Sequence, residues 1–374
     1  MYFLALFFIK ILKSLSKILV IIQRSNGDVL LSTSLVKLLY ESFDHPEIDL
    51  LVNDDTLEIA KIIPFVNNIH IFSYGDKKIN RWNQEKNITL KIFKKYDLSI
   101  NLTASDRSVL YALLASKKSI SAVEINKKKS WWKIILLTHH YYFDTRKHIL
   151  LNNLESLNIL KIAHEPIFET LIASELSIKK IKRKLEKLNI QDFIIFHPSA
   201  QYNYKIYPQL LRNRLLNNLN SLGVPVLISG GMSQIDLDIK QELPNLQNLY
   251  DFIGETTLNE FIALSHLSLA YIGMDTLNMH IAASQNKRIF AIFGSTKLSM
   301  WSPWSNKLKT STFINKPVQT YGENTIFQPS LPCHFCGVFG CGNNHGVNEF
   351  PYNIEPEEIF KEIENWYQNL NVSF

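Results

Sequence analysis

Short apolar runs bounded by turn residues recur along this chain, with helical periodicity between them. In the first half, strands are predicted over 17–23, around Ile18-Leu-Val-Ile-Ile22, and over 47–52 (Glu-Ile-Asp-Leu-Leu-Val), 68–72 (Asn-Ile-His-Ile-Phe) and 97–101 (Asp-Leu-Ser-Ile-Asn). Helical patterns separate them, such as Thr56 to Ile62, which Pro64 stops. Such alternation predicts an α/β fold, a parallel sheet with helices on both faces.

Residues 169–190 are helical and strongly charged, and a domain boundary is expected at 185/186. A second series of strands follows. Phe193–Phe196 ends at His197-Pro198, Val226–Ser229 at Gly230-Gly231, Leu269–Ile272 at Gly273, and Arg288–Phe293 at Gly294. Strands that each stop at Pro or Gly suit a doubly wound domain whose loops converge on one crevice. The half reads as a nucleotide-binding fold without a GxGxxG. Pro356 to Trp366 reads as an amphipathic helix. Four segments result: a terminal segment 1–16, domains 17–185 and 186–355, and a helix 356–374 that could pack back on the N-terminal domain.

Composition narrows the class. The chain has 374 residues, of which 46% are hydrophobic and 20% charged, as in a globular protein of two domains. Lys plus Arg is 40 against 34 for Asp plus Glu, a net of +6, too mild to argue for nucleic acid, and no recognition motif for it is present. The cations are unevenly placed: Lys10, Lys13, Lys17 and Arg24 precede Asp28 with no acid among them. Residues 2–9 are apolar, but no cationic region precedes them and no small-residue cleavage site follows, so they do not read as a secretory signal. Lys10 and Lys13 break the stretch, so it does not read as a spanning helix. Lys10, Lys13 and Lys17 share one helical face opposite Phe, Leu and Ile. That suits a helix lying in a membrane interface, the alternative being a terminal helix packed on the protein itself.

A second basic and aromatic stretch is Lys127-Lys128-Lys129-Ser130-Trp131-Trp132-Lys133. It suits a lipid headgroup region, or a solvated loop with core tryptophans. All three cysteines, Cys333, Cys336 and Cys341, share one loop with His334 and His345 nearby. They do not form a disulfide framework. A Cys3His zinc site (Cys333, Cys336, Cys341, His345) is one reading, although a second CxxC pair is missing; a reduced cluster without metal is the other.

Asp28 stands out among the polar residues. It follows the first apolar run in Ser25-Asn26-Gly27-Asp28, with Gly27 read as a tight turn and a helix expected from Leu30. A carboxylate at the carboxyl end of a first strand lies where open α/β sheets place their chemistry; equally, it could only cap the helix. His197-Pro-Ser199-Ala-Gln-Tyr-Asn-Tyr-Lys205 puts small and polar residues and then a lysine after a strand, where amides and a cation could hold a diphosphate. Gly254-Glu-Thr256-Thr257-Leu258 offers a threonine cap and exposed amides. Gly273-Met-Asp275-Thr276-Leu277-Asn-Met-His280 opens another helix with an acid, a hydroxyl and a histidine. Singly each is weak: such a lysine is often solvated, and His280 reads equally as a core histidine.

Taken together and in order, these segments resemble the ADP-heptose:lipopolysaccharide heptosyltransferases, inverting glycosyltransferases of GT-B fold. The resemblance rests on Ile22-Gln-Arg-Ser-Asn-Gly-Asp28-Val-Leu with Glu47–Asn53, and on His197-Pro-Ser with Lys205-Ile-Tyr-Pro208. It continues through Gly254–Leu258, Gly273–Thr276, His280-Ile-Ala-Ala283, Ile292–Thr296 and Trp301-Ser-Pro303. It spans Lys17 to about Cys341, and the Cys-His-Phe-Cys loop is similar to one in some members.

The resemblance implies two Rossmann-like domains facing a central cleft, the first binding the lipopolysaccharide inner core and the second a nucleotide-sugar, ADP-heptose. It assigns Asp28 as general base, taking the proton of the attacking sugar hydroxyl. It places Lys205, Ser199, Gly230, Gly231, Thr256, Thr257, Asp275, Thr276 and His280 around the donor, with Lys205 and helix amides meeting the charge on the leaving nucleotide. Lys10, Lys13, Lys127–Lys129, Trp131 and Trp132 would face acceptor and membrane. No cofactor or divalent metal is required, and no Asp-x-Asp triplet suits a metal-bound nucleotide. The implied setting is the cytoplasmic face of a Gram-negative inner membrane, with peripheral attachment. One departure concerns the residue after Asp275-Thr276, usually glycine in the family and Leu277 here. Three other readings remain: a same-fold enzyme using another nucleotide-sugar, a scaffold without catalysis, and an unrelated membrane-associated nucleotide-binding protein that uses only the second domain.

Overall fold

The central strand β1 (Lys17–Ile22) is apolar on both faces, so both must be covered. Leu19 and Ile21 point to one face and Ile18, Val20 and Ile22 to the other; all five are buried. A computed structural model describes residues 15–294, 296–329 and 354–372. The apolar start with Lys10 and Lys13, and the loop with Cys333, Cys336, Cys341 and His345, lie outside the described residues.

The chain forms two compact units, 1–169 and 170–374. In the first, β1 pairs in parallel with β2 (Glu47–Asn53) and β4 (Leu98–Asn101). Beyond them lie β3 (Asn68–Phe72), β5 (Ser119–Val123) and β6 (His139–Tyr142), giving the order β3-β2-β1-β4-β5-β6, all parallel. Helices Tyr74–Ile92 and Asp106–Ala115 pack on Leu19, Ile21, Leu51 and Phe72. Helix Lys127–Leu136 continues that layer through Trp132 against Val109 and Val123. Helices Thr33–Ser42 and Ile149–Ile159 pack against each other elsewhere in the unit.

The second unit repeats the plan. Strands β7 (Ile194–His197), β8 (Val226–Gly230), β9 (Leu249–Ile253), β10 (Ala270–Met274), β11 (Arg288–Ile292), β12 (Val318–Tyr321) and β13 (Asn324–Phe327) lie in the order β12-β13-β11-β10-β7-β8-β9. Only the β12–β13 hairpin at the edge is antiparallel. In both units the winding reverses beside the first strand, between β1 and β4 and between β7 and β10. That is where a doubly wound sheet opens a crevice past its strand ends.

The structure corrects several sequence expectations. The division falls before the charged helix Glu175–Lys187, not after it. That helix buries Ile181 and Leu185 and packs on helix Leu258–Leu267 of the second unit, with Lys180 paired to Glu260 and Lys184 to Glu255. The C-terminal helix Pro356–Val372 also belongs to the second unit, packing on helix Gln209–Asn220, with Trp366 edge-on to Phe290. Gly27 is not a tight turn but lies within a short helix, Asn26–Leu30, and a separate helix runs Thr33–Ser42. Strands β5, β6, β9, β12 and β13 were not expected.

Candidate functional site

In the first unit, β1 delivers the chain into helix Asn26–Leu30, whose third residue is Asp28. Ser25 and Asp28 form a reciprocal cap: the Ser25 hydroxyl donates to Asp28 Oδ2 at 2.7 Å and the Ser25 amide donates at 3.3 Å. Helix capping is therefore real. It occupies only one carboxylate oxygen. Oδ1 accepts no hydrogen bond, although Arg24 Nε forms an ion pair with it at 2.9 Å. Arg24 itself stacks on the Phe143 ring at 4.5 Å. Asp28 is 4% exposed. Two further buried polar side chains cluster there. The Gln23 amide is unpartnered at both ends, and Asn53 Oδ1 is unpartnered while its Nδ2 donates to the Arg24 carbonyl at 3.4 Å. Buried polar atoms left open beside a reversal point await hydroxyls or water. Sequence reading gave no site role to Gln23, Arg24 or Asn53, although all three lay inside the quoted motifs.

The basic and aromatic stretch resolves into helix Lys127–Leu136. Lys127, Lys128 and Lys129 are exposed on its first turn and Trp131 is exposed, whereas Trp132 packs on the core. Lys133 is fully buried, donating to the Ala104 carbonyl at 2.8 Å and paired with Glu124 and Asp106. It ties the β4 loop to this helix and is not free to meet lipid.

In the second unit, β7 and β10 lie side by side with His197 opposite Gly273. A Cβ on Gly273 would lie 2.5 Å from the His197 carbonyl oxygen, so only glycine fits this pairing. Burial pushes the His197 ring down to about 4, leaving it neutral. Nδ1 faces the Ser229 carbonyl at 3.0 Å, which fixes the proton there. The Asn278 amide nitrogen lies 3.1 Å from Nδ1 and 3.3 Å from Nε2, and with the proton on Nδ1 it is Nε2 that can accept from it. His197 thus holds the first turn of the next helix beside the end of β7.

That helix, Leu277–Ser284, carries the clearest anion-binding geometry. Its N-cap, Thr276, makes no side-chain bond to the helix amides. Its hydroxyl instead faces the Tyr271 hydroxyl at 3.4 Å. The first amides are therefore open, with the positive end of the helix dipole behind them. In front stand Asp275 and Lys205, the latter on a short turn Asn203–Lys205, with Lys205 Nζ 3.4 Å from Asp275 Oδ2. The pair is long and partly exposed, so a diphosphate could displace Asp275 from the lysine at small cost. Leu277 is half-buried and takes ordinary helical dihedrals, so glycine's conformational freedom is not needed there. What leucine changes is the space beside the amides.

The other expected donor residues divide. Ser199 is buried and bonded to Asp236. Burial opposes ionisation of Asp236, but bonds from Ser199, Ser233 and the amides of Ser233 and Gly231 outweigh it and hold the carboxyl below its usual range. Gly230 and Gly231 make room for that carboxylate: a Cβ on Gly230 would lie 2.9 Å from Asp236 Oδ1. The Ser233-x-x-Asp236 pattern, a capping box, was the overlooked signal. Thr257 is likewise committed to a capping box with Glu260, its hydroxyl accepting from the Glu260 amide, while Thr256 is half-buried. His280 is buried near Trp301, and burial, with Lys205 adding, pushes it down to about 3. It is a neutral histidine of the helix's inner face. Among the described residues no group of three or more His, Cys, Asp or Glu is placed to hold a metal ion.

The model of "Glycosyltransferase family 9 (heptosyltransferase)" matches residues 91–330. Lipopolysaccharide heptosyltransferase 3 of Escherichia coli K12 is 27% identical over 296 residues, covering 76% of this chain and 85% of the relative. A family 9 glycosyltransferase structure from Veillonella parvula superposes with a TM-score of 0.74 at 16% identity, covering 95% of this chain and 98% of that one. The structure of E. coli ADP-heptose lps heptosyltransferase II gives 0.69 at 18%, covering 95% and 99%.

Proposed function

Starting from a chain that belongs to glycosyltransferase family 9 (heptosyltransferase), we propose that it transfers heptose from ADP-heptose to the lipopolysaccharide core with inversion at the anomeric carbon. The observation that carries the reading is the open helix N-terminus at Leu277, fronted by Lys205 at the reversal point of the second sheet. It suits the diphosphate of a nucleotide-sugar. The names of the relatives supply the sugar and the acceptor: the E. coli relative is a lipopolysaccharide heptosyltransferase.

In this mechanism the acceptor hydroxyl attacks the anomeric carbon. Its proton passes to Asp28 Oδ1, the oxygen not spent on the helix cap. The anomeric C–O bond to the diphosphate breaks, and its electron pair goes to the leaving nucleotide. Lys205 and the amides of helix Leu277–Ser284 stabilise that growing charge. Gln23 and Asn53, with unpartnered buried atoms beside Asp28, hold acceptor hydroxyls. Asp275 keeps Lys205 positioned until the donor arrives. The enzyme works at the cytoplasmic face of the inner membrane, attached peripherally. Among the described residues no helix is long and apolar enough to cross a membrane.

Calorimetry of the purified protein with ADP-heptose and a panel of UDP-, GDP- and CMP-sugars tests the donor. Selective binding of ADP-heptose is the expected result. Preference for another nucleotide-sugar would overturn the heptose assignment, and binding of none would return the scaffold reading.

A further inference from the structure

Helices Tyr74–Ile92, Asp106–Ala115 and Lys127–Leu136 lie side by side in the first unit. Their inner sides are ordinary core, with Ile88, Ile92, Tyr111 and Ala112 buried on the sheet. Their outer sides carry exposed apolar residues, Leu110 on the middle helix among them. On the first helix, past a kink at Asn80, Trp82 is 81% exposed; on the third, Trp131 is 61% and Ile135 71% exposed, with Leu90 and Leu136 joining them. Helices Thr33–Ser42 and Ile149–Ile159 of the same unit expose no large apolar side chain. Large apolar side chains are exposed elsewhere too, as Ile172 at 82%, Leu176 at 77% and Phe313 at 75%, and scattered ones need no explanation; this layer differs in that both tryptophans exposed among the described residues, Trp82 and Trp131, stand on it amid cations.

Cations are interleaved with these side chains. Trp82, Lys86 and Leu90 follow at four-residue spacing, as Lys127, Trp131 and Ile135 do, so each stripe mixes apolar and basic residues. Arg81 lies over the Trp82 ring at 5.8 Å from its centroid. On the third helix no acid accompanies Lys127, Lys128 and Lys129. A protein interface depletes lysine at its centre. A bilayer surface accepts this mixture: indoles sit at headgroup depth, aliphatic side chains reach the acyl boundary, and lysine heads turn to lipid phosphates.

We propose that this three-helix face is the membrane-docking surface of the protein, lying on an anionic bilayer. The lipid contact stands on its own geometry. That it brings the first unit to a lipid-borne acceptor rests on the heptosyltransferase reading.

The test is flotation of the full chain, residues 1–14 intact, with phosphatidylcholine vesicles and with vesicles that also contain phosphatidylglycerol. The chain is expected to float with the anionic vesicles and to be released by salt. Reversing Lys127, Lys128 and Lys129 to Glu weakens that partition by at least about 100-fold, since three attractions of about 1 kcal/mol each are lost and replaced by repulsion. Trp82→Ser with Trp131→Ser weakens binding to anionic vesicles while retaining its salt dependence. Melting temperature and donor calorimetry stay unchanged in both variants, which shows the fold and the second unit intact. No flotation of the wild type, or wild-type flotation of both variants, overturns the proposal, the latter placing the anchor elsewhere. Loss of a self-associated species in sedimentation velocity, with flotation unaltered, would assign the face to a second copy instead and equally overturn it. Flotation uses no donor, so its failure and that of the heptosyl-transfer reading are read separately.

Discussion

Replacing Asp28 by asparagine separates its two roles. Asparagine keeps one acceptor oxygen, and that oxygen can still take both the Ser25 hydroxyl (2.7 Å) and the Ser25 amide (3.3 Å), so the helix start survives. The new amide nitrogen then faces Arg24 Nε, which the carboxylate held at 2.9 Å. Two donors repel, and the guanidinium swings toward solvent along the Phe143 ring on which it already stacks. The structural cost is about 1 kcal/mol for one lost ion pair whose arginine is partly exposed. In a unit of this size that lowers the melting temperature by about 2–4 °C. The chemical cost is far larger. Removing a positioned general base lowers the rate by about 100- to 10,000-fold, or about 3–5 kcal/mol of barrier. Steady-state transfer to a lipopolysaccharide-core acceptor should show this loss in kcat, while calorimetry shows unchanged donor affinity, because the proposed donor groups lie in the second unit. Turnover within about tenfold of wild type would refute the argument, since a mere cap cannot account for more.

Other expectations follow from the same geometry. Lys205→Ala should weaken binding of the nucleotide-sugar by about 10- to 100-fold, the equivalent of one bond to a charged group of about 1.5–3 kcal/mol, with partial recovery in Lys205→Arg; calorimetry reads both. Gly273→Ala places a Cβ 2.5 Å from the His197 carbonyl, and neither neighbouring parallel strand can yield. It should cost about 3 kcal/mol and lower the melting temperature by about 6–12 °C, and a drop below about 2 °C would contradict the packing. Folding should lose stability on acidification before the carboxylates titrate. His197 and His280 fold as neutral rings with values near 4 and 3, whereas the unfolded rings take protons near the ordinary 6.5. Stability is thus retained above that value and falls steadily as pH drops toward 4, while the depressed carboxyls of Asp49 and Asp236 add their loss only at lower pH. Denaturant midpoints across that window check it, and His280→Leu should flatten the slope.

Much of the architecture was legible from one-dimensional pattern. Strands buried on both faces have to be apolar nearly throughout, so β1, β2, β7, β8, β10 and β11 announce themselves, and Gly or Pro marks where β7, β8, β10 and β11 stop. The strands overlooked lack that signature for identifiable reasons. In β5, Ser119 and Ser121 are buried but polar; they are satisfied by Thr138 and Asn101, partners supplied from other segments. The edge strands β6 and β12 are short and partly exposed, so burial imposes little pattern on them.

The candidate chemistry divides in the same way. Asp28, Lys205, Asp275 and Thr276 could be named from residue type and position after a strand. Their working state could not. Whether Asp28 caps or acts depends on which oxygen Ser25 takes, and whether Thr276 closes its helix depends on Tyr271, which is a strand residue. Asp236 entered only because Gly230 and Gly231 leave room for it. The exposed face is invisible in any one helix, since which sides of the helices bearing Trp82 and Trp131 stay outward is settled only when their inner sides pack on a common sheet. Local sequence therefore determined the elements and the residues that punctuate them, because propensity and burial period act over a few residues. The tertiary structure alone decided which polar atoms stay unpartnered and which apolar ones stay uncovered, because both are what remains after distant segments have paired.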